Sequence, residues 1–211
     1  MPGAISIGGT PSHMISGVNT GNGSAFKDEF VDAEGTALTS HAPGGGFAWV
    51  NAIGSMLISS NEASTDADAQ CVLDTGVSDN VRIRTTRMVT CDNFTGFTIR
   101  YSDSNNYIIA GADAISGRWT MWKNVAGAFT NIAAASDSDI PITGDTILNF
   151  EVWCSSIDIA IYEDGELRLK STGDSFNDDA TIMGLYIDLN VASVTSFDDF
   201  FVYRIADGLT F

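Results

Sequence analysis

Positive charge is what this sequence has least of. Ten Lys and Arg stand against 27 Asp and Glu, leaving a formal net charge of -17. A protein that tracks nucleic acid needs a basic face to neutralise phosphates, so nucleic acid is not an expected partner. An acidic surface keeps a chain soluble and can attract cations or a basic partner. Cysteine is scarce too: Cys71, Cys91 and Cys154 are odd in number and lack CxxC spacing. That argues against a disulfide framework and for buried free thiols, with a single Cys71–Cys91 pair left open. Histidine occurs twice. His13 lies in a Gly-rich stretch and His41 precedes a Pro-Gly loop, so neither is placed like a general base. There is no G-x-S-x-G elbow, and Gly8-Gly9-Thr10 and Gly44-Gly-Gly46 lack the Lys and the helix of a phosphate loop. Apolar runs fall short of the roughly 20 residues of a spanning helix, and the start of the chain carries neither a basic nor an apolar leader segment. Neither a signal peptide nor a membrane partner is expected.

What the sequence has in quantity is short alternating segments broken by turn residues, with 21 Gly among its 211 residues. Residues 98–170 read as a meander. Thr98-Ile-Arg-Tyr-Ser102 and Tyr107-Ile-Ile-Ala110 lead into polar breaks. In Arg118-Trp-Thr-Met-Trp-Lys123, Trp119 and Met121 share one face while Arg118, Thr120 and Trp122 share the other. Ile157, Ile159 and Ile161 have the period of two of a half-buried strand. Asp164-Gly165 then tolerates the positive φ angles of a type I′ turn, which makes Glu163-Asp-Gly-Glu166 a hairpin leading into Leu167-Arg-Leu169.

The remaining segments extend the pattern. Phe26-Lys-Asp-Glu-Phe30, Phe47-Ala-Trp-Val-Asn51 and Met56-Leu-Ile-Ser59 read as strands, and residues 61–69 as a polar loop. Val81, Ile83 and Thr85 alternate with Arg82, Arg84 and Thr86; with Arg87 and Arg100 these arginines form a basic face that is solvated or paired with carboxylates. In residues 146–153 and the following Cys154, Leu148, Phe150, Val152 and Cys154 are the set that should face a core. Residues 133–139 read as a loop and residues 181–187 as a strand. Residues 196–204 read as one closing strand with Phe197, Asp199, Phe201 and Tyr203 on one side. About a dozen strands with no amphipathic helix indicate an all-β, two-sheet antiparallel jelly-roll sandwich over residues 26–211. Residues 1–25 have little periodicity and much Gly, the mark of an extended N-terminal arm, with Ile5, Ile7, Met14, Ile15 and Val18 as isolated apolar anchors for a partner.

Three stretches resemble concanavalin A-like (laminin-G-like) jelly-roll domains of the kind found in phage virion structural proteins. They are Asp28-Glu-Phe30 with residues 34–41, Pro43 and Trp49; residues 97–107 through Trp119 to the Tyr162-Glu-Asp-Gly-Glu166 hairpin; and Phe197-Asp-Asp-Phe-Phe-Val202. The resemblance implies a non-enzymatic virion protein, a decoration or cement protein on the major capsid protein or other virion subunits, trimeric and bridging its neighbours by the arm. Its alternative implication is a lectin-like carbohydrate-binding module of a tail or host-adhesion device, with Trp122, Trp153 and Tyr107 stacking on sugar faces. The glycanase branch of the fold needs two carboxylates about 5–5.5 Å apart for retaining chemistry. Glu163 and Glu166 have the wrong spacing for it, and Glu151 has no carboxylate at i+2 or i+4. No cofactor is expected beyond a structural calcium, which pairing of the first and last strands would give to Asp28, Glu29, Asp198 and Asp199. If residues 1–25 serve only assembly, deleting them leaves the thermal midpoint of the domain unchanged, which calorimetry on the two chains checks.

Overall fold

The computed structural model describes residues 24–78, 80–135, 147–190 and 194–205. The arm anchors Ile5, Ile7, Met14, Ile15 and Val18, and most of the loop expected at 133–139, lie outside the described residues. Sixteen strands succeed one another among the described residues: β1 (Ser24–Asp28), β2 (Val50–Ile53), β3 (Leu57–Ser59), β4 (Glu62–Thr65), β5 (Ala69–Asp74), β6 (Val81–Val89), β7 (Phe94–Asp103), β8 (Asn106–Asp113), β9 (Arg118–Val125), β10 (Ala128–Ala134), β11 (Ile147–Ser155), β12 (Asp158–Glu163), β13 (Glu166–Ser171), β14 (Ile182–Asp188), β15 (Thr195–Asp198) and β16 (Phe200–Arg204). They form two antiparallel sheets. One has seven strands in the order β10-β9-β8-β7-β14-β5-β2. The other has nine: β13-β12-β11-β6-β15-β4-β3, with β16 beside β6 and β1 beside β16. The fold is the two-sheet β-sandwich that the alternation implies.

Aromatic rings from both inner faces fill the space between the sheets. Trp119 of the seven-stranded sheet lies flat on Phe150 of the nine-stranded one, with ring centroids 5.1 Å apart and planes 5° apart. Phe97 meets Phe150, Phe197 and Phe200 at 4.7, 6.1 and 5.6 Å. Truncating one such ring costs about 3–5 kcal/mol, because the close-packed surroundings refill the space only in part. Phe150, Val152 and Cys154 all point inward, as their alternation requires. The three cysteines are buried and free, so Cys71 and Cys91 do not pair.

Turn chemistry sets the register. Asp164 and Gly165 both have positive φ (50° and 81°) between the partners Glu163 and Glu166, the geometry anticipated for this hairpin. Two further hairpins use the same device without an Asp-Gly signature: Ser60-Asn61 (φ 55° and 63°) and Ala126-Gly127 (φ 52° and 85°). The first places Glu62–Thr65, within the loop expected at 61–69, in strand β4. The second returns the chain as β10, a strand whose mixed composition hides any alternation.

Three other expectations are corrected. Ser156, at φ 52°, turns the chain between β11 and β12, so Ile157 is 42% exposed in the turn while Ile159 and Ile161 are buried. The closing strand is two strands. Asp199, at φ 56°, adds one residue between β15 and β16, where the Thr85 and Thr86 hydroxyls donate to the Asp198 carbonyl. An added residue exchanges the faces: Phe197, Phe200 and Val202 enter the core, and Phe201 and Tyr203 turn outward. Arg100, finally, is not part of a basic face. It is 3% exposed, and its guanidinium donates to the carbonyls of Asp174 and Ser156, tying β7 to the connections at the end of the other sheet.

Asp28 anchors the start of the domain. It is 3% exposed. Its carboxylate accepts hydrogen bonds from the Phe30 amide at 2.8 Å and Trp49 Nε1 at 2.7 Å, and faces His41 Nε2 at 2.8 Å. One acid thereby fixes the loop that carries residues 38–49 against β1. Asp28→Ala leaves those donors buried without an acceptor and is expected to cost about 3 kcal/mol, read as a lower urea midpoint at constant m-value; Asp28→Asn, which keeps one acceptor oxygen, is expected to cost less.

Candidate functional site

The outer face of the seven-stranded sheet follows from the register of its strands, because cross-strand partners share a face. Ile109 of β8 stands opposite Thr98 of β7 and Trp122 of β9. Gly111 stands between Gly96 and Thr120, and Tyr186 of β14 lies beyond Gly96. Asp113 stands between Phe94 and Arg118, with Asp188 beyond Phe94. These residues surround a groove of about 300 Å³ lined by Asn93, Phe94, Ile109, Asp113, Ile115, Trp122, Phe129, Tyr186 and Asp188.

Its base is a second apolar cluster, separate from the core, of Phe94, Tyr107, Ile109 and Tyr186. Tyr107 touches Tyr101, Phe129 and Tyr186 at centroid distances of 6.0, 6.0 and 6.2 Å, and Phe94 meets Tyr186 edge-on at 5.8 Å. The Gly96–Gly111 pair lets β7 and β8 approach here. A Cβ on either would come within 2.3 Å of a carbonyl oxygen on the facing strand, so a glycine within a strand marks close backbone approach in this sheet. Above this base the walls are open. Phe129 is 47% and Ile115 59% exposed, and Trp122 is half-buried with Nε1 donating to Thr120 Oγ1 at 3.2 Å.

Polar groups gather at one end. Burial, then the negative charge of Asp68, pushes the Asp188 carboxyl above the usual carboxylate range, while Asn93 hydrogen-bonds it and Asp92 adds repulsion. A folded-state value above the unfolded one means that stability is fully present below the ordinary carboxylate range and is lost as pH rises through the folded value. Burial also pushes the Tyr186 hydroxyl up, with Tyr107 and Asp188 adding to the shift.

Of the three aromatics nominated from sequence, the structure brings two together. Trp122 is a wall of the groove and Tyr107, 2% exposed, lies beneath it. Trp153 is on the outer face of the opposite sheet, 5.2 Å from Tyr162, with Arg82 over its ring at 5.3 Å and Nε1 donating to Glu151. Sequence reasoning missed Phe94, Phe129, Tyr186, Asn93, Asp113 and Asp188. A signal that could have found this face is the pair Gly96 and Gly111; Gly111-Ala-Asp113, expected as a polar break after Tyr107-Ile-Ile-Ala110, is instead the end of β8.

The first and last strands pair, with Asp28 opposite Phe200, and three of the four carboxylates expected to hold calcium have other partners. Asp28 turns inward to His41 and Trp49, exposed Glu29 pairs with Lys27, and Asp199 accepts from Thr86; Asp198 lies close enough to Asp199 and Glu62 that, after burial, their charges push its carboxyl up. No cluster of three or more His, Cys, Asp or Glu that could hold a metal ion occurs among the described residues. Glu163 and Glu166 flank their hairpin and both face Arg168, at 2.9 and 3.5 Å.

The sequence matches no protein-family model and no curated protein. The structure is similar to several solved ones. A carbohydrate binding module, CBM66 from Bacillus subtilis, aligns with TM-score 0.57 and 16% identity over 74% of this chain and 95% of that one. The exoplasmic/lumenal domain of VIP36, in its Ca²⁺/Man2-bound form, aligns with TM-score 0.54 and 9% identity over 88% and 90%. The GH43 protein BlXynB from Bacillus licheniformis aligns with TM-score 0.58 and 14% identity over 84% of this chain and 39% of that one. At such identities the likeness establishes the fold alone, a two-sheet antiparallel β-sandwich. With Asp28, Glu29 and Asp199 each engaged by another partner, thermal unfolding is expected to give the same midpoint in calcium and in chelator; a rise of several degrees in calcium would support the expected metal.

Proposed function

We propose that the protein is a lectin-like carbohydrate-binding module that holds a glycan in the groove on its seven-stranded sheet and performs no chemistry on it. The observation that carries this reading is the pairing of two aromatic walls, half-buried Trp122 and exposed Phe129, with Asn93, Asp113 and Asp188 in one groove of about 300 Å³. A sugar ring offers apolar C–H faces and a rim of hydroxyls. Aromatic faces receive the first, and a few placed amide and carboxylate groups receive the second. The CBM66 likeness supports the same reading at the level of the fold.

Absence of catalysis is argued from placement. Asp113 and Asp188 are both cross-strand neighbours of Phe94, which stands between them. Two strand spacings put their backbones roughly 10 Å apart, about twice the carboxylate separation of a retaining glycosidase and at the upper edge of the about 6.5–9.5 Å of an inverting one, so the placement argues against the retaining reaction first. A glycan retained by the protein should therefore be recovered uncut.

A capsid-decoration role, with virion subunits as partners and a trimeric state, rests on the arm, and nothing in the groove calls for it. The two readings part on a glycan array. Specific retention of a glycan, lowered about tenfold or more by Trp122→Ala or Phe129→Ala and unchanged by Trp153→Ala, is expected. Silence on the array together with co-purification with capsids would favour decoration, and cleavage of the retained glycan would make the protein an enzyme.

A further inference from the structure

The charges of this protein are sorted between its two outer faces. Lys27, Arg82, Arg84, Arg87, Arg168 and Lys170, out of ten Lys and Arg in the chain, stand on strands of the nine-stranded sheet and pair there with carboxylates. Glu151 meets Arg82 at 2.6 Å, Glu163 meets Arg168 at 2.9 Å, and Glu62 meets Arg87. The groove on the other sheet has the reverse arrangement. Asp113 and Asp188 are among its lining residues and no Lys or Arg is. Neither acid is in an ion pair with Lys or Arg among the described residues. Asp113 accepts the Ser116 amide at 3.1 Å.

On the reading that the groove holds a glycan, we infer that its preferred ligand carries a positive charge: an amino sugar with a free ammonium group, rather than a neutral N-acetylated or an acidic sugar. The walls are Trp122, Phe129 and Tyr186, whose ring faces attract a cation, and the far end holds two carboxylates with no counter-ion. An ammonium group seated there meets acceptors already partly dehydrated, so the water it displaces is less than at an open surface carboxylate. The charged and titratable groups that act on Asp188 are Asp68 from the β4–β5 connection and Asp92 from the β6–β7 connection, with Tyr186 beside it in the sheet; Arg118 is the strand partner of Asp113 at the rim. Their sum is negative, and it adds to burial in raising the Asp188 carboxyl. A cation in the groove relieves this repulsion. An added carboxylate or sulfate would increase it.

The test uses the full chain and two probes that differ only in this respect, the trisaccharide of N-acetylglucosamine and its de-N-acetylated form, titrated calorimetrically near neutral pH in about 0.15 M salt, where unspecific attraction between separated charges is screened. The amine is expected to bind about tenfold tighter, a difference of one ion-pair-sized increment. The preference is expected to vanish in Asp188→Asn and to shrink in Asp113→Asn, and to persist in Glu29→Gln, which removes an exposed carboxylate on the other sheet. It should also fade on acidification, as Asp188 takes up its proton. Asp188→Asn should fold at least as well as the parent, because it removes a carboxylate that is costly to ionise, and a thermal melt verifies this. Equal or tighter binding of the N-acetylated probe overturns the charge preference and leaves the glycan-binding reading standing. A preference that survives Asp188→Asn and Asp113→Asn together means that net charge alone attracts the amine, and also overturns it. Binding of neither probe overturns it too; only a silent glycan array in addition removes the reading beneath it.

Discussion

The flat contact between Trp119 and Phe150 is the constraint to which the rest of the architecture answers. Two large rings, one from each sheet, lie face to face at 5.1 Å, and Phe97, Phe197 and Phe200 close around them. Once these side chains point inward, the period of two sends every neighbouring residue outward. Trp122 is outward because Trp119 and Met121 are inward, and Ile109 because Ile108 and Ala110 are. The groove is thus the complement of the core pattern. Its aromatic content is a surplus that the interior did not take.

That logic also separates what could be read from the sequence from what could not. The sandwich was legible because alternation survives in β6, β9 and β11, where inward and outward residues differ in polarity. The hairpin at Asp164-Gly165 was legible because its residues tolerate positive φ. The groove was much less so. In Tyr107-Ile-Ile-Ala110 both faces are apolar, so composition cannot say which one meets the core, and the sequence alone nominated Tyr107 and Trp122 together with Trp153, which belongs to the other side of the molecule. Phe94, Tyr186 and Asp188 are joined to Asp113 and Trp122 only by the register β14-β7-β8-β9, which no local pattern encodes. The split of the closing strand was hidden for a related reason. Asp199 breaks alternation through its backbone conformation, and an aspartate in a run of Phe and Asp gives no notice of it.

The electrostatics have a similar division of labour. A net charge of -17 describes the molecule as a whole, but the nine-stranded sheet neutralises its own outer face with interstrand pairs such as Arg82 and Glu151. The Arg82–Glu151 pair is bidentate and part-buried, the geometry in which an ion pair holds its place. Such pairs balance charge within that face, while Asp113 and Asp188 of the groove are in no ion pair among the described residues.

The position of Phe129 has one more consequence. It projects from β10, which ends the seven-stranded sheet and has a hydrogen-bonded neighbour on one side only. Such a strand is the part of a sheet that opens at the lowest free energy, well before the molecule unfolds. One wall of the groove is therefore fixed by the centre of the sheet and the other by its margin. The width of the groove on this side depends on how firmly β10 stays zipped to β9 through the Ala126-Gly127 turn that joins them.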